Sequence, residues 1–271
     1  MGQPRFLHRG LAVCLAALLG GCGGGTAELL AVADVQAAIY GSGGASSSNY
    51  RVANTDPAER GTLTGKVRYA GPPRKPPRVD LSDQFCINAH AQGLYSEEVC
   101  VAPDGGLQWV IVYIGRGLVP GMKYAPPSKP AILDQVDCQY VPRALVVQVG
   151  QPLVIKSSDA TAHNVHCLPG GGNPEFNKSM TTPGELAPRT FDRPQVPLKF
   201  KCDIHNWMWS FVAVLPHPCH SVTGADGAYT IPDLPPGTYQ LVAWHEKLGE
   251  KAVDITIGNR ESKTLDITFG Q

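Results

Sequence analysis

Strong net charge, a run of basic residues and the loops that cradle phosphates are all missing from this 271-residue chain. Charged residues make up only 17%, with lysine plus arginine equal to aspartate plus glutamate at 23 each. Without a basic face or run, nothing points to a nucleic-acid partner. Near-neutrality also gives little long-range steering of a charged one. No glycine-rich phosphate loop follows a strand, no HExxH occurs and no G-x-S-x-G elbow is present, which speaks against nucleotide-dependent, metalloprotease and serine-hydrolase chemistry. A copper enzyme with a separate catalytic copper would need a second set of histidine ligands, and no such motif is found. The apolar run at 11–19 is too short to span a bilayer as a permanent helix.

What is present begins with a leader. Arg5, His8 and Arg9 precede the apolar run, and Gly20, Gly21 and Cys22 follow it. This is the layout of a secretory signal peptide, so residues 1–21 are set apart from the fold. The stretch LGGC at 19–22 resembles the bacterial lipobox, which implies cleavage before Cys22, a lipid on its sulfur, and a protein anchored to a membrane in the periplasm or at the cell surface. Removing the leader takes away two arginines and no acid, leaving a formal charge of −2. Residues 22–60 then read as the lipidated cysteine and a tether, with GSGGASSSN at 41–49 a flexible linker and room for a short helix within 27–39.

Beyond the leader stand Cys86, Cys100, Cys138, Cys167, Cys202 and Cys219. Export to an oxidising compartment makes disulfides plausible. If one cysteine binds a metal, an odd number is left. Cys86–Cys138 and Cys167–Cys219 are the pairings to test, because spacing alone leaves connectivity open.

Gly 30 and Pro 24, with Val, Ile and Thr in short runs, favour an all-β fold rich in turns. Strands are predicted at 62–69, 107–114, 144–149, 153–156, 196–201, 209–215, 229–231, 238–244 and 252–257, and residues 170–188 read as a long loop. The C-terminal pattern DGAYTIPDLPPGTYQLVAW resembles the transthyretin-like, carboxypeptidase-regulatory type of β-sandwich. The segment 61–69 looks like its first strand. That resemblance implies a discontinuous sandwich, residues 61–125 and 216–271, with residues 126–215 inserted.

The inserted segment carries the chemistry. Cys202-Asp203-Ile204-His205-Asn206-Trp207-Met208 puts a thiolate, an imidazole and a thioether within seven residues between two strands, and His163-Asn164-Val165-His166 lies earlier. Imidazoles, a thiolate and a weak thioether are the ligand set of blue copper, which accommodates both copper oxidation states. His-Asn-Val-His followed by Cys-x2-His-x2-Met is similar to amicyanin and the plastocyanin-like cupredoxins, Greek-key sandwiches. The resemblance implies one type 1 copper on His163, Cys202, His205 and Met208, with Asn164 tying the ligand strand to the cysteine loop. It implies an electron carrier rather than a catalyst, a His205 ring edge shown at an apolar docking surface, and a redox partner such as a cytochrome c or a quinone-linked oxidoreductase. Asn206 stands where amicyanin has proline.

Alternatives stay open on the residues alone. Cys-x2-His with His-x2-His also fits a closed zinc site. Met180 is an alternative axial ligand, and His217, His220 and His245 a weaker candidate second site. His166 reads as a packed, hydrogen-bonded histidine, and Trp207, Trp209 and Phe211 as core. The alternative function is a non-redox lipoprotein for copper binding and delivery, or for binding glycan or protein.

Overall fold

The computed structural model describes residues 51–52 and 55–270. The leader, Cys22 and the linker lie outside the described residues. The described chain is nearly all β, arranged in four sheets that pack as two sandwiches. One pair of sheets holds Gly61–Tyr69 between Ala228–Leu234 and Ser262–Thr264, facing a sheet of Ile111–Arg116, His220–Val222, Gly237–His245 and Gly249–Ile257. The other pair holds Leu153–Ser157 with Ala131–Val136 and Gln139–Val141. It faces a sheet ordered Ala144–Gln148, Trp209–Leu215, Gln195–Lys201, His163–Leu168, Phe176–Met180. Each encloses its own core, around Leu63, Leu107 and Leu241 in the first and around Leu133, Val165 and Phe200 in the second.

The strands at the join explain why the sequence has apolar runs without polar alternation. Val112, Ile114, Leu241 and Ala243 point into the first core, and Val147, Val212 and Val214 into the second. The residues between them, Ile111, Tyr113, Ala144, Val146, Ala213, Leu215 and Val242, form a third cluster where the sandwiches meet. Successive side chains of a strand alternate faces. A strand buried on both faces therefore reads as continuous hydrophobicity. Arg143 and Glu246, both nearly buried, form an ion pair across this join, and Trp209 Nε1 donates to Glu246 Oε2 at 3.0 Å.

Two regions depart most from the sequence expectation. The segment expected as a loop at 170–188 contains the strands Phe176–Met180 and Gly184–Glu185. Phe176–Met180 is an edge strand, mostly exposed and polar, so it lacks the apolar alternation that marks a half-buried strand; its backbone pairing with His163–Leu168 defines it instead. A short helix, Gln84–Ala89, is the second departure. Asp83 caps it, accepting from the backbone N–H of Phe85 and Cys86, which is the local signal for its start.

The structure joins Cys86 to Cys138 and leaves Cys100, Cys167, Cys202 and Cys219 free. The Cys167–Cys219 pairing is thus corrected. Cys167 lies in the second core and Cys219 in the first, and burial pushes both thiols up to about 12.

Candidate metal centre

His163 opens the strand His163–Leu168, and Cys202 ends the neighbouring strand Gln195–Lys201 that pairs with it. The chain then turns through a tight loop, with Cys202 N donating to Met208 O and Met208 N to His205 O, both at 3.0 Å, and leaves along Trp209–Leu215. This hairpin brings His205 back beside Cys202 and across from His163. All four residues are buried: His163 and His205 at 0%, Met208 at 1% and Cys202 at 2% exposure.

Three ligand-type atoms converge. His163 Nδ1 and His205 Nδ1 are 2.9 Å apart, and Cys202 Sγ stands 4.0 and 3.9 Å from them. The point equidistant from all three lies about 2.1 Å from each, the length of a metal–nitrogen bond and close to a metal–thiolate one. The donor set and its spacing thus fit a metal ion of borderline softness. Two further groups, Asp83 with Cys86 and His205, and Cys138 with Asp159 and His163, crowd the same place. Their cysteines are joined in the disulfide, so neither offers a thiolate.

Neighbouring groups hold His163 and Cys202 in place. His163 Nε2 lies 2.8 Å from Asp159 Oδ2, a carboxylate that also takes the backbone N–H groups of Asp137 at 2.6 Å and Cys138 at 2.8 Å. Those two residues have φ of 51° and 56°, the paired left-handed conformation of a type I′ turn, between Ala131–Val136 and Gln139–Val141. Asn164 Oδ1 accepts from Asp203 N at 2.6 Å and from the Cys202 thiol at 3.3 Å, while its Nδ2 donates to Asn177 and Asp203. His205 N donates to Cys202 Sγ at 3.4 Å.

The electrostatics arise from these contacts. Burial opposes ionisation of the Cys202 thiol, yet the hydrogen bonds from His163 and from the loop backbone prevail and lower its pKa. Burial also works against a charged His163, but Asp159 and Cys202 outweigh it and raise the group to about 9. Burial and the neighbouring His163 hold His205 below the ordinary histidine value.

Met180 stands directly across the paired strands from His163, and the other sequence candidates have partners of their own. Met180 Sδ is engaged by Gln135 Nε2 at 3.3 Å. His166 bonds Asp203 and Glu175, each at 2.9 Å. Among the described residues no ligating group forms around His217, His220 or His245. The expected exposed edge of His205 is a correction: the helix Gln84–Ala89 and its disulfide, brought from a distant part of the chain, lie against it, with a Cys86 sulfur within 4.8 Å of a His205 ring nitrogen. Asp159 and Asp83 are neighbours of the site that sequence reasoning missed, and Trp207, read as core, packs against His205. An aspartate four residues before His163 was the available signal for the first.

No family model matches the chain, and no curated protein matches it. Among solved structures, an oxidised amicyanin variant is similar at 24% identity over 31% of this chain and 81% of its own, with a TM-score of 0.28. A purple cupredoxin from Nitrosopumilus maritimus is similar at 22% identity, over 31% and 98%, with a TM-score of 0.27. A copper-containing nitrite reductase from Thermus scotoductus SA-01 is similar at 20% identity, over 35% of this chain and only 24% of that one, with a TM-score of 0.30. At these values the likeness carries no functional weight, and the chemistry of the site rests on its own side chains.

Proposed function

We propose that this chain is an exported blue-copper electron carrier whose single copper would be held by His163, Cys202, His205 and Met208. The observation that carries it is the buried triangle of two imidazole nitrogens and a thiol. Bound there, copper supplies a one-electron couple. The protein supplies the rest. Asp159 fixes the ring plane of His163 by accepting a hydrogen bond from its outer N–H, Asn164 pins the cysteine loop to the strand His163–Leu168, and the buried surroundings exclude water. A site so held reorganises little between oxidation states, which favours fast outer-sphere transfer over catalysis.

On this reading the inserted residues 126–215 are the cupredoxin module, and residues 61–125 with 216–271 form a transthyretin-like support. Cys22 is the lipid anchor, and the partner is a membrane-associated or periplasmic redox protein such as a cytochrome c or a quinone-linked oxidoreductase. The deep burial of His205 favours copper delivery as the second reading. Stepwise reductive titration of the copper-loaded protein separates them: a carrier cycles reversibly with one electron per copper, whereas a delivery protein loses its copper on reduction to an acceptor chelator.

A further inference from the structure

The face of His205 that would meet a partner is closed. Its ring is wholly buried, Nε2 has no hydrogen-bond partner, and Asp83 Oδ2 stands 3.9 Å away. The helix Gln84–Ala89 lies over this edge, and the Cys86–Cys138 disulfide fastens it to the hairpin turn that also holds Asp159. One neighbour of the ring leads outward. Trp207 packs against His205 with centroids 5.1 Å apart and planes inclined by 43°, within the range of favourable aromatic contact. Its indole N–H donates to Cys138 O at 3.0 Å, which fixes the ring's orientation. Trp207 is only half-buried, and it lines an open groove together with Arg78, Tyr95, Gln139, Arg143 and Trp209. Ile204 and Asn206 are exposed on either side of His205, yet neither offers a π system.

We propose that Trp207 is the bridge by which electrons enter and leave the site, carrying them between His205 and the groove because the usual direct route over the His205 edge is capped. The inference rests on the blue-copper reading. Tunnelling falls steeply with every through-space gap, and an indole in contact with the imidazole removes the gap that the cap would otherwise impose. The step is a single-electron exchange. The site loses one electron as Cu(I) becomes Cu(II), an outer-sphere oxidant gains it, and no bond or proton is transferred.

The test uses the mature copper-loaded chain, reduced and then mixed with hexacyanoferrate(III) in stopped flow. Trp207→Leu keeps the thiolate-to-copper band and the reduction potential but is oxidised about tenfold or more slowly, equivalent to a barrier rise of about 1.4 kcal/mol. Trp207→Phe, which retains a smaller ring, falls between it and the parent. If Trp207→Leu does not fold, Trp207→Met gives the same non-aromatic comparison, its flexible chain refilling the space. A second readout needs no metal. In the metal-free parent, diethyl pyrocarbonate leaves His205 unmodified on peptide mapping while modifying the half-buried His90 and His166. Oxidation of the non-aromatic variant at the parent rate, with band and potential intact, overturns the bridge alone, and so does rapid modification of His205. Absence of the band in the parent overturns the copper reading and the bridge with it.

Discussion

Asp159 accepts hydrogen bonds from two backbone groups of one turn and presents its remaining capacity to the outer nitrogen of His163. It thereby couples the conformation of a hairpin turn to the direction of a ligand. Residues that orient a ligating histidine in this way typically contribute a factor of about 10–100 in metal affinity. Asp159→Ala is expected to weaken Cu(II) binding by about that factor in competition with a chelator, leaving one site per chain; an unchanged affinity would remove Asp159 from the role. The ligand spacing itself was legible in the sequence, because His163 and the Cys202–Met208 loop sit on paired strands whose ends need only a few residues to converge. Asp159 and Asp83 were not. Asp159, four residues before His163, and Asp83, at a helix start, leave only local signals, whose bearing on the site shows once the turn and the helix have placed them.

Elements tell a similar story about what a sequence reveals. The strands Gly61–Tyr69, Trp209–Leu215 and Gly237–His245 follow from β-branched runs between Gly and Pro turns. The strand Phe176–Met180 depends on pairing with the strand before it, and the capping helix on contacts made far along the chain, and local periodicity is silent on both. Two buried couplings join distant elements. The disulfide closes a loop with a sequence separation of 52 residues. In the chain-entropy account a loop of that size contributes about 4 kcal/mol. Replacing Cys86 and Cys138 by serine is expected to lower the denaturation free energy by about this amount or somewhat less, measured in guanidinium. The Arg143–Glu246 pair lies at the join of the sandwiches, with side-chain exposures of 8% and 6%. Glu246→Ala leaves a buried guanidinium unpaired, a change that usually costs about 3–5 kcal/mol. Equilibrium unfolding reads that loss, and a loss below about 1 kcal/mol would show that water reaches the join.

At the scale of the whole molecule, buried histidines make the first sandwich sensitive to acid. His217 and His245 are buried in or beside the first sandwich, and burial pushes them down to about 3 and about 4. Above the ordinary histidine value of 6.5 they are neutral in both the folded and unfolded chain. As the pH falls below 6.5, the unfolded chain takes up protons that the folded one refuses, so stability declines on the order of 1 kcal/mol per pH unit for each. Denaturation midpoints of the metal-free protein should therefore fall steadily from pH 6.5 towards 4, and His217→Gln should flatten the slope. The sequence foretold a β protein. How the helix Gln84–Ala89 comes to pack on the second core beside His205 was not legible, since the contact between Cys86 and His205 joins residues far apart in the chain and leaves no local pattern.

The visible absorption and EPR spectrum of the mature protein loaded with Cu(II) bears most directly on the buried triangle of His163, Cys202 and His205. The account predicts an intense thiolate-to-copper charge-transfer band with narrow copper hyperfine splitting, both lost in Cys202→Ser. A colourless stoichiometric zinc complex, or an ordinary type 2 copper signal that survives Cys202→Ser, would contradict it.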